Sequence, residues 1–451
     1  MSTPAEPTLE VEPRPLSSAR WVLGLLFAGN LLNFYDRALP SVVLEQIKND
    51  FGLDDAQVGV LASAFVLVAA LAGVPLGRLA DRIPRRTVAG WGLIVWSLFT
   101  AVGGIFSSFW VFLASRVGVG VGEASYSPAT GSLIADLYPS ERRSRATALF
   151  TLGFPIGTLL AFFTAGAIAE ALGSWRAPFL IAAVPGLVVA VLILRIHEPR
   201  RGASDAIPTV TDDRPVSTST KGASIADLLR IRSLYGLTLA FAGYNFAAYA
   251  IGTFITPVLQ RYYGLGLIPA ASTSGVIIGV AGLIGLLVGG RVLDRARVRS
   301  TTARDRASAA CLALAAVSSF VGLAAAPSAL WQLVLFMSLG YLLGIVYLAS
   351  FVPATADVVA PEQRSTALGL IFAVGYLIGG AGGPICVGLL SDSLAGSAGS
   401  LAAAEASAHG LRTAMAVLVP VAFAVAAVGM LLAARSAPAD RAKMLARGVA
   451  S

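Results

Sequence analysis

Four ionisable side chains stand in two otherwise apolar stretches. Asp36 and Arg37 lie in "NLLNFYDRALP" (30–40), and Arg116 and Glu123 lie in "RVGVGVGEASY" (116–126). Each such group costs about 2.5–3.5 kcal/mol at a bilayer centre on insertion scales, so it persists where it pairs, meets water or moves protons. Low dielectric favours the neutral form of a carboxyl, and an adjacent guanidinium favours the ionised form. A carboxylate that loses and regains its arginine as helices move would therefore take up and release a proton. Asp36 and Glu123 are the candidate proton sites, with Arg37 and Arg116 as their charge partners. A fixed ion-pair network that only orients helices is the competing reading, and it explains Asp36 with Arg116 better than it explains Glu123.

The elements that must hold these groups are membrane helices. The chain has 451 residues, 56% hydrophobic and only 13% charged, against roughly 25% charged in soluble domains. Apolar blocks of about twenty residues, long enough to cross ~30 Å of hydrocarbon, recur along it. Twelve spans are expected, from 20–44 to 411–434. The first eighteen residues lack a basic leader region, so the first span is expected to be retained. At 1.5 Å per residue, Asp36 sits roughly 22 Å above the start of the first span, near the expected depth of Arg116. Asn33, Asp36 and Arg37 share a face at i, i+3, i+4, and Glu123 lies two turns beyond Arg116.

The net charge of +8 sits mostly in short loops on one side, a pattern that sets topology and does not indicate nucleic-acid binding. It predicts that both termini are cytosolic; a multi-pass protein of the inner (plasma) membrane, acting as a monomer, is expected. Cys311 and Cys386 fall within spans and His197 and His409 stand alone, so neither a disulfide framework nor a metal site is expected. No phosphate-binding Gly-x-x-x-x-Gly-Lys-Ser/Thr loop occurs, and no cofactor is expected beyond a proton gradient. No span holds a histidine or a nucleophile with an evident base, which argues against an enzyme. A channel would need a pore-lining ring of charge, and none is evident.

Two signatures repeat half a chain apart. "GRLADRIPRR" (77–86) is echoed by "GGRVLDRARVR" (289–299), and "ADLYPSERRSRATAL" (135–149) by "ADVVAPEQRSTALG" (356–369). The expected organisation is a tail (1–19), a six-helix bundle (20–195), a linker rich in Pro, Ser and Thr (196–232), a second bundle (233–434) and a C-terminal tail (435–451).

The twelve spans, the repeat and the loop Gly77–Asp81–Arg82–Arg85/Arg86 together resemble the major facilitator superfamily, with Pro84 in place of the second glycine of its Gly-x-x-x-Asp-Arg-x-Gly-x-Arg/Lys signature. Within it, "NLLNFYDR" and "RVGVGVGEASYSPATGSLIADLYPSERRSRATALF" are similar to Spinster-type transporters. Hexuronate-type anion symporters share an Asn-x-x-Asp-Arg element and remain the alternative. The resemblance implies an all-α fold of two pseudo-symmetric six-helix bundles that rock about a central cavity. It also implies proton-coupled movement of a lysophospholipid, sphingoid or other amphiphile, with membrane lipid as a partner. A cytosolic gate is expected from Gly77, Asp81, Arg82, Arg85, Arg86, Asp136, Arg142, Asp294, Arg295 and Asp357, pairing across the two halves while that side is shut. Asn33, Tyr126, Tyr244, Asn245, Tyr249, Tyr341, Tyr347 and Ser350 are the candidate cavity residues, since aromatic groups with polar tips suit an amphiphile.

Overall fold

The computed structural model describes residues 18–200, 225–298, 300–360, 363–397 and 401–449, and every regular element in them is helical. The first six long helices are α1 (Ala19–Val42), α2 (Asp55–Arg82), α3 (Arg85–Ile105), α4 (Phe109–Leu137), α5 (Glu141–Ala171) and α6 (Ala177–Leu194). The second six are α7 (Arg232–Arg261), α8 (Leu267–Arg297), α9 (Thr301–Leu323), α10 (Pro327–Ala356), α11 (Thr366–Ser397) and α12 (Ala403–Val449).

Ten of these are apolar enough to span a bilayer by length and composition. The two that fall short are α1 and α4, which carry Asp36, Arg37, Arg116 and Glu123. Both are enclosed by neighbours: α1 packs on α5 and α6, and α4 on α2 and α3. Their polarity faces protein, so the bundle meets lipid with apolar surface even though these two helices alone do not.

Each half repeats the same packing. A Cβ at Gly157 of α5 would fall on the Leu31 carbonyl of α1, and one at Gly379 of α11 on the Ala242 carbonyl of α7. Missing side chains let backbones approach where apolar lipid supplies no hydrophobic drive between helices. The halves meet along α1/α7, α2/α11 and α5/α8. In α8 and α11 the run at this seam is π-helical, over Gly275–Val280 and Tyr376–Gly380, a local widening often found at functional sites. The turns after α1 and α7 use Gly52 and Gly264 at φ of 64° and 67°, a left-handed conformation that glycine adopts without a Cβ clash.

Three boundaries depart from expectation. A short helix, Leu44–Phe51, continues α1 on the arginine-poor face. The expected linker is docked at its start, where Ile196, Glu198 and Pro199 hold Arg85 and Arg86. Residues 435–449 of the expected tail are helical, because α12 runs to Val449 and its Asp440 accepts hydrogen bonds from Ser233 N (2.8 Å) and Oγ (2.7 Å) at the start of α7, while 450 and 451 lie outside the described residues. Positions 201–224 of the expected linker lie outside the described residues.

Candidate functional site

Neighbouring residues on a helix point about 100° apart, and α1 uses that difference to send its two charges to different partners. Arg37 Nε donates to Glu123 Oε2 of α4 at 2.6 Å, and its guanidinium lies between the rings of Phe34 (4.9 Å) and Phe65 (5.0 Å). The Glu123 side chain is fully buried, whereas that of Arg37 keeps 29% of its surface exposed toward the cavity. Asn33 lies beside the Glu123 carboxylate.

Asp36 does not pair with Arg116 as their matching depths suggested. Its Oδ2 accepts a long hydrogen bond from Thr100 Oγ1 (3.5 Å), and its Oδ1 has no partner. Arg116 rests over Phe112 (5.2 Å) and Phe179 (5.1 Å), and its Nη2 is likewise unpartnered. Depth along two helices fixes height but not azimuth, and azimuth decides which side chains touch. Gly103 makes room here, since a Cβ would lie 2.8 Å from Arg116 Nη2.

A cavity of 330 Å³ opens between the halves beside these charges. Asp36, Arg37 and Arg116 reach it from the first half, with Phe34, Phe65 and Phe154. Tyr244, Asn245, Tyr249 and Tyr341 reach it from the second, as expected, joined by Phe241 and Tyr376. Among the described residues, no charged side chain of the second half lines it.

Four other cavity candidates pack inside a half instead. Tyr126 is buried against Trp96 and donates to the Leu26 carbonyl at 2.9 Å, tying α4 to α1. Tyr347 packs on Tyr244 and Phe351. Ser350 accepts from Ser308 of α9 at 2.6 Å. Asn33 stays with Glu123 behind the wall. Period alone cannot separate a residue facing the cavity from one facing a neighbouring helix.

Three of the expected gate residues, Arg85, Asp136 and Asp357, enter two clamps, each inside one half. Arg85, buried at the start of α3, pairs with Asp136 at the end of α4 and with Glu198 (2.8 Å). Arg304, near the start of α9, pairs with Asp357 (3.0 Å) and Asp305 (2.9 Å). The repeat thus preserves an arginine clamp, although Arg304 carries no sequence signature of its own. A Cβ at Gly77 would lie an ordinary 3.9 Å from Pro128 of its own half, so close approach does not require glycine there. Arg82, Arg142, Asp294 and Arg295 are exposed, and the side chain of Asp81 lies outside the described residues. Among the described residues, no ion pair joins the halves on this arginine-rich face. A 680 Å³ groove there separates Thr147–Leu152 of α5 from Leu286 and Leu287 of α8.

The opposite face is sealed by residues that sequence reasoning missed. Arg261, at the end of α7, bridges Glu45 (2.6 Å) and Asp55 (2.8 Å), and Lys48 pairs with Asp55 (2.6 Å). Asp392 of α11 accepts from the backbone N–H groups of Asp55 (3.1 Å) and Ala56 (2.8 Å), capping α2 from the other half. Deeper in the seam, Ser63 Oγ donates to the Ala381 carbonyl at 2.6 Å. The available signal was Arg261 itself, an arginine on the arginine-poor side facing a cluster of acids.

The sequence profile of the Major Facilitator Superfamily matches residues 26–384. An MFS-type efflux pump of Mycolicibacterium smegmatis is 33% identical over 390 residues, covering 85% of this chain and 87% of that protein. Protein spinster homolog 1 of Xenopus laevis is 30% identical over 386 residues, 82% of this chain and 72% of that protein. A sphingosine-1-phosphate transporter of Danio rerio is 28% identical, with 82% and 76% covered. Among solved structures, a bacterial homologue of the human lysosomal transporter Spinster, inward-facing and unoccupied, superposes with a TM-score of 0.82 at 25% identity, covering 94% of this chain and 98% of that one.

Proposed function

This chain belongs to the major facilitator superfamily as a Spinster-type transporter, not an enzyme, and on that premise we propose that it couples proton movement to the passage of an amphiphilic, lipid-like molecule. The observation that carries the proposal is the Arg37–Glu123 pair, set at the edge of a cavity whose other wall is aromatic and uncharged. Protonation of Glu123 would remove the attraction that holds Arg37 against α4, so proton uptake and the shape of the cavity would change together. Asp36, with one carboxylate oxygen unpartnered beside the cavity, is the second proton site. The proton gradient takes the place of a cofactor.

The aromatic wall supports an amphiphile. Phe241 and Phe65 offer apolar surface, and the hydroxyls of Tyr244, Tyr249, Tyr341 and Tyr376 offer single polar contacts. The likeness to a sphingosine-1-phosphate transporter points the same way. Alternating access would proceed by rocking of the two halves about the central cavity. The seal at Arg261 and the parted α5 and α8 ends correspond to the half of the cycle that is open toward the arginine-rich face. By the positive-inside rule that face would be cytosolic, and on this proposal both termini are cytosolic and the chain is a monomer of the inner (plasma) membrane.

A second reading draws on the unpartnered Arg116 Nη2, which suits the carboxylate of a small organic anion taken up with a proton. One experiment separates the two. Purified protein in proteoliposomes is given an imposed pH gradient with either a fluorescent lysophospholipid or a hexuronate. Gradient-driven movement of the lysophospholipid alone is the expected result. Movement of the hexuronate alone would replace the first reading with the second, and movement of neither under any gradient would overturn proton coupling.

A further inference from the structure

At the arginine-rich end of the second half, α7 and α12 leave a groove of 550 Å³ between them. Its floor is set by backbone contact, because a Cβ at Gly236 would lie 2.6 Å from Ala433 N and 2.7 Å from the Gly429 carbonyl. That approach draws two helical faces together. From α7 come Arg232, Tyr235 and Leu239; from α12 come Leu432, Arg435 and Lys443. The positions follow i, i+3, i+7 on one helix and i, i+3, i+11 on the other, so each set forms one stripe.

The chemistry changes along the groove. Toward the helix ends it carries three cations, Arg232, Arg435 and Lys443, all exposed and none within 4 Å of a carboxylate among the described residues. Its one acid among the described residues, Asp440, is only 5% exposed and engaged by Ser233. Toward the bilayer centre the lining becomes Leu239 and Leu432, exposed by 38% and 46% and followed by exposed Val428 and Val425. Tyr235, 58% exposed, stands at the change with its hydroxyl donating to the Leu229 carbonyl. A cationic mouth above an apolar, lipid-facing channel matches an anionic head on acyl chains, and a free phosphate would leave the apolar part unused.

We propose that this groove binds the headgroup of an anionic phospholipid from the surrounding leaflet, separately from the central cavity. Positive-inside topology alone would place basic residues on this face but would not gather three unpaired ones over an apolar channel. The site does not depend on which molecule the cavity carries.

The test uses the full chain, delipidated in neutral detergent, with retained lipid read by native mass spectrometry. Phosphatidylglycerol should be held as a discrete adduct roughly tenfold more strongly than phosphatidylcholine, and inorganic phosphate should not compete. The combined variant Arg232→Gln, Arg435→Gln, Lys443→Gln should lose the preference. A charge-matched control on the same face, Arg291→Gln, Arg297→Gln, Arg306→Gln, should keep it. Equal loss in both variants would reduce the effect to overall surface charge and overturn the site. So would equal retention of the two lipids by the unaltered protein, or displacement by phosphate. A single Leu239→Trp substitution, which fills the apolar part without touching charge, should weaken phosphatidylglycerol retention in correctly folded protein; full retention would also refute the groove.

Discussion

Arg37 and Glu123 make each other tolerable within the bundle. Glu123 is wholly buried, so removing its partner leaves an uncompensated charge, whereas removing both leaves an ordinary polar contact. Arg37→Ala should therefore destabilise the protein by about 3 kcal/mol, and adding Glu123→Gln should recover most of that loss. Thermal unfolding of the two single variants and the double variant in detergent measures it. A double variant no more stable than Arg37→Ala would mean that the loss comes from packing against Phe34 and Phe65 instead. Arg37→Lys should also fall short of the original residue, because a flexible ammonium does not reproduce a planar group held between two rings.

The elements carry the conformational bias. Asp392 caps α2 only while the arginine-poor ends of the two halves touch, so its contribution enters one state and not the other. A capping side chain contributes about 1 kcal/mol, enough to change a two-state ratio roughly fivefold. Asp392→Ala should move the population by that amount toward the form open on the arginine-poor face. Spin-label distances between the α1–α2 and α7–α8 turns would report it, and an unchanged distribution would leave the cap without a conformational role. The element level is also where sequence reading was strongest. Helix number and the duplicated loops were legible because bilayer thickness and gene duplication both leave long-period patterns. Leu44–Phe51 and the extension of α12 to Val449 were missed because polar helical turns outside the apolar blocks resemble loops.

At the scale of the molecule, proton coupling requires that the acids of the first half affect the tilt of both halves. Lowering the pH should redistribute the unaltered protein between its two openings, and Asp36→Asn together with Glu123→Gln should remove that response while leaving the fold intact. Distances across both faces, followed from mildly alkaline to acidic buffer, test this. A full pH response in the double variant would return the four charges to a fixed, orienting network. The asymmetry of the cavity makes the expectation specific, because among the described residues no charged side chain of the second half lines it.

Much of this protein was determined by its sequence alone. Hydrophobic length specified the spans, and the residue types in α1 and α4 marked where charge would be buried. Pairing was decided only by the tertiary structure. Helix azimuth directed Arg37 to Glu123 and left Asp36 and Arg116 without a direct ion pair. It turned Tyr126, Tyr347 and Ser350 into packing groups, and it assembled the Arg261–Glu45–Asp55 seal from positions more than two hundred residues apart. Contacts of that kind depend on how helices rotate and cross once small residues let them approach, and a one-dimensional pattern does not contain that angle.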